Sequence, residues 1–589
     1  MKSFFKYVLA TVTGIIVVVV LLFFVLIGIV TSTVSQMGSS KEVSVPSNSV
    51  LYVSLNHEIP ERTSPNPWEG LDLPGYSSLK SLGLNDIVAR IAAAKDDSRI
   101  KGIYLNPSSV NVGMSTLKEI RDALVDFKKS GKFIIAYSDV YTQKGYYLAA
   151  VADEIYLNPE GSLDFKGLSS SVTFMKEALD KLGVEMQVVK VGTYKSAVEP
   201  FILNEMSPAN RAQMTSYINS LYDSFLANIS ESRKISVDSL RLVADQYLIR
   251  NASDAVRLHF VDKAVYKDEL LTLLKKRLTV EEKKDVPTVS LLDYNAVSPK
   301  ESAPNRIAVL YASGNIVDGE GSSEDIGGEK FSRELRKLRR DDRIKAVVLR
   351  VNSPGGSALA SDIIAREVEL TKKVKPVIVS MGDYAASGGY YISALADSIF
   401  ADKETLTGSI GVFGLIPNVK GLLNNKLGIH VDEVKTGKFA NLMSSIDRPL
   451  TEEERAIIQS EVNRVYNTFT GKVAAGRKMT VAQVDSIGQG RVWTGQQALQ
   501  NGLVDRVGSL QDAIAAAAKK AKVSDNYMLV SYPAVKDPFA SILSSSKEKI
   551  KMWMFQDELG AYRSYINPLK DLVKTSGVQA RIPYLLEIR

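Results

Sequence analysis

The sequence predicts an α/β protein built from two tandem copies of one unit, preceded by a single N-terminal transmembrane helix. Three observations predict it: an uncharged apolar run near the N-terminus, strings of residues that recur about 244 positions apart, and short β-branched segments alternating with amphipathic ones. At 589 residues, with 45% apolar and 24% charged residues, the chain has the make-up of a packed globular protein and the length of more than one domain.

The apolar run extends from Val8 to Val30 without a charge. That is enough for a bilayer core, which takes roughly 20 helical residues. It is longer than the apolar region of a cleavable signal peptide, so a retained anchor is expected. Lys2 and Lys6 precede the run and no charge falls between Thr31 and Ser40. The positive-inside rule therefore leaves the N-terminus in the cytoplasm and places the body of the chain in the periplasm, at the inner membrane.

The repeat sets the domain plan. Asp96-Asp97-Ser98-Arg99-Ile100-Lys101 returns as Asp341-Asp342-Arg343-Ile344-Lys345, and Gly145-Tyr146-Tyr147-Leu148 returns as Gly389-Tyr390-Tyr391-Ile392. Arg233-Lys234 matches Arg477-Lys478, and Val261-Asp262 matches Val504-Asp505. The expected divisions are a cytoplasmic stub and anchor at 1–31, a first copy at 50–275, a linker at 276–304, a second copy at 305–525 and a tail at 526–589 without a counterpart. Within each copy, runs such as Ala346-Val347-Val348-Leu349 and Val377-Ile378-Val379 read as strands between helical stretches, the pattern of a parallel sheet. Such sheets place ligands at the carboxyl ends of their strands.

Composition narrows the chemistry. Lys and Arg number 73 against 66 Asp and Glu, a net charge of +7 spread along the chain, so no nucleic-acid partner is expected. There is no cysteine, and the three histidines, His57, His259 and His430, are far apart in sequence. Thiolate chemistry is excluded, and neither a metal nor another cofactor is expected. His430 lies in a strand-like run, Ile429-His430-Val431, and reads as a core or edge residue.

Three glycine-serine turns fall at expected strand ends: Asn352-Ser353-Pro354-Gly355-Gly356-Ser357, Ala385-Ala386-Ser387-Gly388-Gly389 and Thr407-Gly408-Ser409-Ile410-Gly411. Exposed backbone N–H groups beside a serine suit acyl transfer, with the Gly-Gly turn as oxyanion hole. A serine nucleophile needs a base, and without a suitable histidine that base is a lysine whose pKa burial has lowered.

These strings, with Val191-Gly192-Thr193-Tyr194-Lys195-Ser196-Ala197-Val198-Glu199-Pro200-Phe201, resemble the signal peptide peptidases of the long, duplicated protease IV form. The resemblance implies Lys195 as general base and Ser409 as nucleophile; the expected oxyanion donor is the backbone N–H of Gly355, with Gly356 or the turn at Gly408 assisting. The resemblance further implies a crotonase-like fold shared with the Clp protease, peptide substrates that are spent signal peptides, and a homotetramer. Aligning the copies puts Ala440 opposite Lys195, and Asn106-Pro107-Ser108-Ser109 at about the place of the Gly-Gly turn. Neither copy then holds a complete site, so the dyad is expected at an interface between copies. Two other pairings stay open: Gly161-Ser162 aligns with Gly408-Ser409 across a short gap, and Lys438 lies two residues from the position matching Lys195. Ser387 resembles the nucleophile turn of the Clp protease but lacks the histidine and aspartate that such a serine uses, so it is expected to pack at a helix N-terminus. The rival functions are an acyl-coenzyme A enzyme of the crotonase type and a catalytically silent membrane scaffold.

Overall fold

Each copy is organised by a parallel sheet whose central strands are buried on both faces, which is why they read as continuous apolar runs. The computed structural model describes residues 45–63, 72–73, 76–77, 82–295, 303–442, 444, 446–524, 526–534 and 578–582, with residues 6–7, 11, 13–15, 17–18 and 21 of a helix near the N-terminus. Most of the expected span from Val8 to Val30 lies outside the described residues; among these, no helix is long and apolar enough to cross a membrane.

In the first copy the sheet runs in the order Lys263–Ala264, Glu154–Leu163, Phe133–Tyr141, Ile100–Asn106, Ser49–Ser54, Thr288–Ser290. In the second it runs Val492–Thr494, Leu406–Gly408, Val377–Ala386, Ile344–Ser353, Asn305–Ser313, Tyr527–Tyr532, with Ser398–Ala401 also paired to Val377–Ala386. The repeated residues do the same work in both. Arg233 pairs with Asp262 and Arg477 with Asp505. The Tyr146 hydroxyl donates to the Phe260 carbonyl and the Tyr390 hydroxyl to that of Leu503. The duplication is therefore structural as well as sequential.

The sheets shift the expected boundaries. Thr288–Ser290, within the expected linker, is an edge strand beside Ser49–Ser54. Tyr527–Tyr532, within the expected tail, is its counterpart beside Asn305–Ser313. An edge strand needs few side-chain signals of its own, because its neighbour supplies the hydrogen-bonding template. Ile429-His430-Val431, read as strand-like, is instead irregular and exposed: the apolar alternation has no sheet to join there.

A third sheet joins the copies. Glu185–Val191 of the first pairs antiparallel with Val412–Asn418 of the second, from Val191 opposite Val412 to Glu185 opposite Asn418. The interface below it is unusually polar. Arg350, fully buried, donates to Glu61 at 2.8 Å and to Glu119 at 2.6 Å, both in the first copy. Burial opposes the charge on the Arg350 guanidinium, but the two carboxylates more than restore it and hold its pKa well above the ordinary value. Asp383 accepts from the Thr116 hydroxyl and Asp402 from that of Ser115, both at 2.6 Å across the same interface. Burial raises the pKa of Glu119, Asp383 and Asp402 above the usual carboxylate range. Buried ionic contacts of this kind cost desolvation but fix one relative placement of the copies.

Candidate active site

The lysine loop follows directly from the strand that joins the copies. After Val191 the chain turns at Gly192, whose φ of +113° an L-residue with a side chain rarely adopts. Tyr194 N–H donates to the Gln489 carbonyl of the second copy at 2.8 Å. Lys195 is thereby carried into the second copy and is 1% exposed. Its backbone lies against Gly490, where a Cβ would fall 2.6 Å from the Lys195 nitrogen, and its side chain passes Gly411, where a Cβ would fall 3.1 Å from Cδ. Gln213 braces the loop, donating to the Tyr194 carbonyl and to Ser196 Oγ, each at 3.1 Å, and accepting from Val492 N–H.

Lys195 Nζ lies 2.8 Å from Ser387 Oγ, 3.0 Å from Ser409 Oγ and 3.2 Å from the Ser409 carbonyl oxygen. Burial lowers the Lys195 pKa well below that of a free lysine, with no carboxylate to offset it. A neutral amine offers two N–H donors and one lone pair. Ser409 Oγ–H donates to the Gly490 carbonyl at 3.3 Å, so its oxygen accepts from the amine, as does the Ser409 carbonyl. With both N–H groups so committed, a neutral amine would have its lone pair left for the Ser387 hydroxyl. This proton arrangement satisfies all four hydrogen bonds together.

The two serines differ in backbone setting as well. Ser387 occupies the sharp turn between strand Val377–Ala386 and helix Gly388–Ser393, at φ 56° and ψ −112°, a sparsely populated conformation. Its N–H donates to the Gly408 carbonyl at 2.8 Å. A strained strand-to-helix elbow of this type presents a nucleophile's hydroxyl clear of its own backbone. Ser409, at φ 51°, follows strand Leu406–Gly408, and its N–H is bound to the Arg491 carbonyl at 2.7 Å. The Gly-Gly turn abuts the elbow of Ser387: a Cβ on Gly355 would come within 2.7 Å of the Gly388 nitrogen. Both glycines lie in the strand Gly355–Ser357, where Gly356 pairs with Ile316 and the Gly355 N–H donates to Ser353 Oγ at 3.2 Å.

Of the residues expected from sequence, Lys195, Ser409, Gly355 and Gly356 all come to this region, and the pairing forms within one chain. The remaining candidates do not reach it. Lys438 is exposed and ion-paired with Glu453. Ser162 pairs with Val140 as Leu406 pairs with Tyr384, so counting along the strand puts Phe165, not Ser162, at the place of Ser409. The short gap allowed in the sequence alignment displaced the match by three residues. Ser387, expected only to pack at a helix N-terminus, does begin the helix but also touches the lysine. Its Ser-Gly-Gly signal at a strand end was visible in the sequence, but its contact with Lys195, 192 residues away in the chain, was not.

The profile of Peptidase family S49 matches residues 126–281 and 369–524, one stretch in each copy. The chain belongs to peptidase family S49. This S49 chain is 40% identical over 512 residues to "Protease 4" of Haemophilus influenzae, covering 84% of this chain and 83% of the relative. It is 37% identical over 521 residues to "Protease 4" of Salmonella typhi, covering 85% and 83%. Against "Serine protease SPPA, chloroplastic" of Arabidopsis thaliana it is 33% identical over 550 residues, covering 91% and 78%. The S49 chain is a serine peptidase of the long, duplicated signal peptide peptidase form. A ClpP1 mutant structure from Listeria monocytogenes aligns over 35% of this chain and 94% of its own, at 17% identity and a TM-score of 0.24, too distant a superposition to carry an argument.

Proposed function

We propose that Ser387 is the nucleophile and Lys195 its general base, with Ser409, the serine expected from sequence, holding the lysine in place. One observation carries this: Lys195 Nζ lies 2.8 Å from Ser387 Oγ, at a strained strand-to-helix elbow, while Ser409 meets the same amine through both its hydroxyl and its carbonyl. Lys195 takes the proton as Ser387 Oγ attacks a peptide carbonyl carbon, and the oxyanion is held by backbone N–H groups of Gly355 and Gly388, with Gly356 lining the groove. The protonated Lys195 gives its proton to the leaving amine. Water, deprotonated by the same amine, then frees the acyl group and restores the Ser387 hydroxyl. Activity rises with pH through the lowered pKa of Lys195, because the free base is the working form.

The two serines are separated by substitution in the purified chain. Ser387→Ala removes the attacking atom and should leave only background hydrolysis, whereas Ser409→Ala should retain measurable kcat with its alkaline dependence moved. Full activity in Ser387→Ala with none in Ser409→Ala would reverse the roles.

The same reading extends to substrate and place. A relative 41% identical over 232 residues bears the name "Putative signal peptide peptidase SppA" in Enterococcus faecium. Apolar peptides left in a membrane are the substrate class this supports, and the apolar run Val8 to Val30 would hold the body at an inner membrane on its periplasmic side. Exposed Leu427, Ile429, Val431 and Val434 beside the joining sheet offer an apolar contact for a homotetramer of crotonase-like copies. Membrane fractionation with and without residues 1–31, and light scattering of the detergent-solubilised chain, test anchor and assembly.

A further inference from the structure

The third sheet contains a strand that belongs to neither copy. Val578–Arg581 lies between Gly355–Ser357 and Val412–Asn418 and runs antiparallel to both. Gly355 stands opposite Arg581, Gly356 opposite Ala580 and Ser357 opposite Gln579; on the other side Phe413 faces Gln579 and Gly414 faces Val578. Ile582 N–H continues the ladder, donating to the Pro354 carbonyl at 2.9 Å. Ala580 and Ile582 are buried, and Ile582 packs in the cluster that holds Ala386, Leu406 and Val492, around the serine turns.

The strand passes over the catalytic turn. The Ala580 carbonyl oxygen lies 2.2 Å from where a Cβ on Gly355 would be, and 3.0 Å from where one on Gly388 would be. Gly388 follows Ser387 and has Gly355 against it, so the backbone carbonyl of Ala580 lies at the turn that carries Ser387. Any peptide cut at Ser387 needs an extended backbone there, and the two bordering strands offer edges that such a backbone can pair with.

We propose that Val578–Ile582 is a tethered pseudosubstrate: it fills the peptide groove as its third strand and must leave before an incoming peptide can bind. The inference rests on the peptidase mechanism given above. The groove takes an extended peptide with a small side chain at the place of Ala580 and an aliphatic one at that of Ile582. A Cβ on Gly355 would strike the occupant's carbonyl, which accounts for glycine at this point.

The test compares the full chain with one ending at Gly577, using a fluorogenic peptide in detergent. Removing a competitor held at millimolar effective concentration should lower the apparent KM about tenfold or more with kcat little changed. In the full-length chain Ala580→Arg, which cannot seat in a buried position, should give the same gain, so the outcome does not hang on how the shortened chain folds. A synthetic peptide of residues 575–585, labelled for fluorescence anisotropy, should bind the Ser387→Ala chain ending at Gly577 and not the full-length Ser387→Ala chain. Unchanged KM in both the shortened chain and Ala580→Arg, or a loss of activity in both, overturns the proposal. Peptide binding as expected without hydrolysis by any chain would leave the pseudosubstrate standing and sink the peptidase mechanism.

Discussion

The two copies share a strand order, a Tyr–carbonyl bond and an Arg–Asp pair, yet they differ in what stands at the positions of Ser387 and Ser409. At the elbow, Gly389 packs on the Ser353 carbonyl as Gly145 packs on that of Pro107. Counting back from those glycines, Gln143 stands where the second copy has Ser387. Phe165, at the place of Ser409, is buried with its ring 4.8 Å from that of Phe260 and 6.1 Å from that of Tyr146. The first copy has filled its own site with aromatic side chains, which adds packing area where the second copy keeps glycines and hydroxyls. It contributes instead through the one strand that crosses over. A duplicated fold can lose half its site in each copy when a sheet between them carries the missing group across.

The largest break in this comparison comes from the lysine. Lys195→Met should lower kcat by roughly 10⁴-fold or more, as removal of a catalytic-unit member does. It should also raise Tm at neutral pH. The folded pKa of Lys195 lies below the unfolded one, so the folded state binds fewer protons and the burial penalty shrinks as pH rises toward the ordinary lysine value. Thermal melts of wild type should gain stability across that window, and Lys195→Met should lose the slope.

Next is the ionic interface. Arg350→Met leaves Glu61 and Glu119 buried without their cation, which should cost about 3–5 kcal/mol in urea unfolding. Because it separates the copies, activity should fall with it. Its carboxylates titrate with the opposite sign to Lys195. Glu119, Asp383 and Asp402 have raised folded pKa values, so their contribution is most favourable below the unfolded carboxylate range and declines as pH climbs through the folded values. Asp402→Asn should flatten that decline in melts between acid and neutral pH.

Gly490→Ala is a smaller break. A methyl group 2.6 Å from the Lys195 nitrogen, at φ +79°, must displace the lysine loop, and kcat should drop about 10²-fold, the typical cost of misplacing a catalytic group by 1 Å. The smallest effect sharpens the comparison most: Gln143→Ser, made in a Ser387→Ala background, should restore no hydrolysis. The first copy has Pro107-Ser108-Ser109 in place of the Gly-Gly turn, and Lys195 has left for its neighbour.

Much of the site was legible because its parts are glycine signals at strand ends. The turn at Gly355 stands in a motif whose spacing needs no tertiary information, whereas Lys195 was reached through the family resemblance. What distinguishes Ser387 from Ser409, both of which follow strands and flank glycines, was not legible: it is the Gly490 carbonyl, 81 residues from Ser409 in the chain. The edge strands at Thr288–Ser290 and Tyr527–Tyr532 escaped for the same reason, their pairing being set by a neighbour rather than by their own side chains.

The duplication, the parallel α/β class and the expectation of a lysine base could be read from the residues alone. These are properties of residue type and periodicity, which local chemistry enforces. Only the tertiary structure decided that the pairing closes within one chain, that two serines share one amine, and that Val578–Arg581 lies in the groove beside them. Each depends on which donors and acceptors meet across distant segments, and a hydrogen bond has no counterpart in sequence until folding brings its two ends within 3 Å.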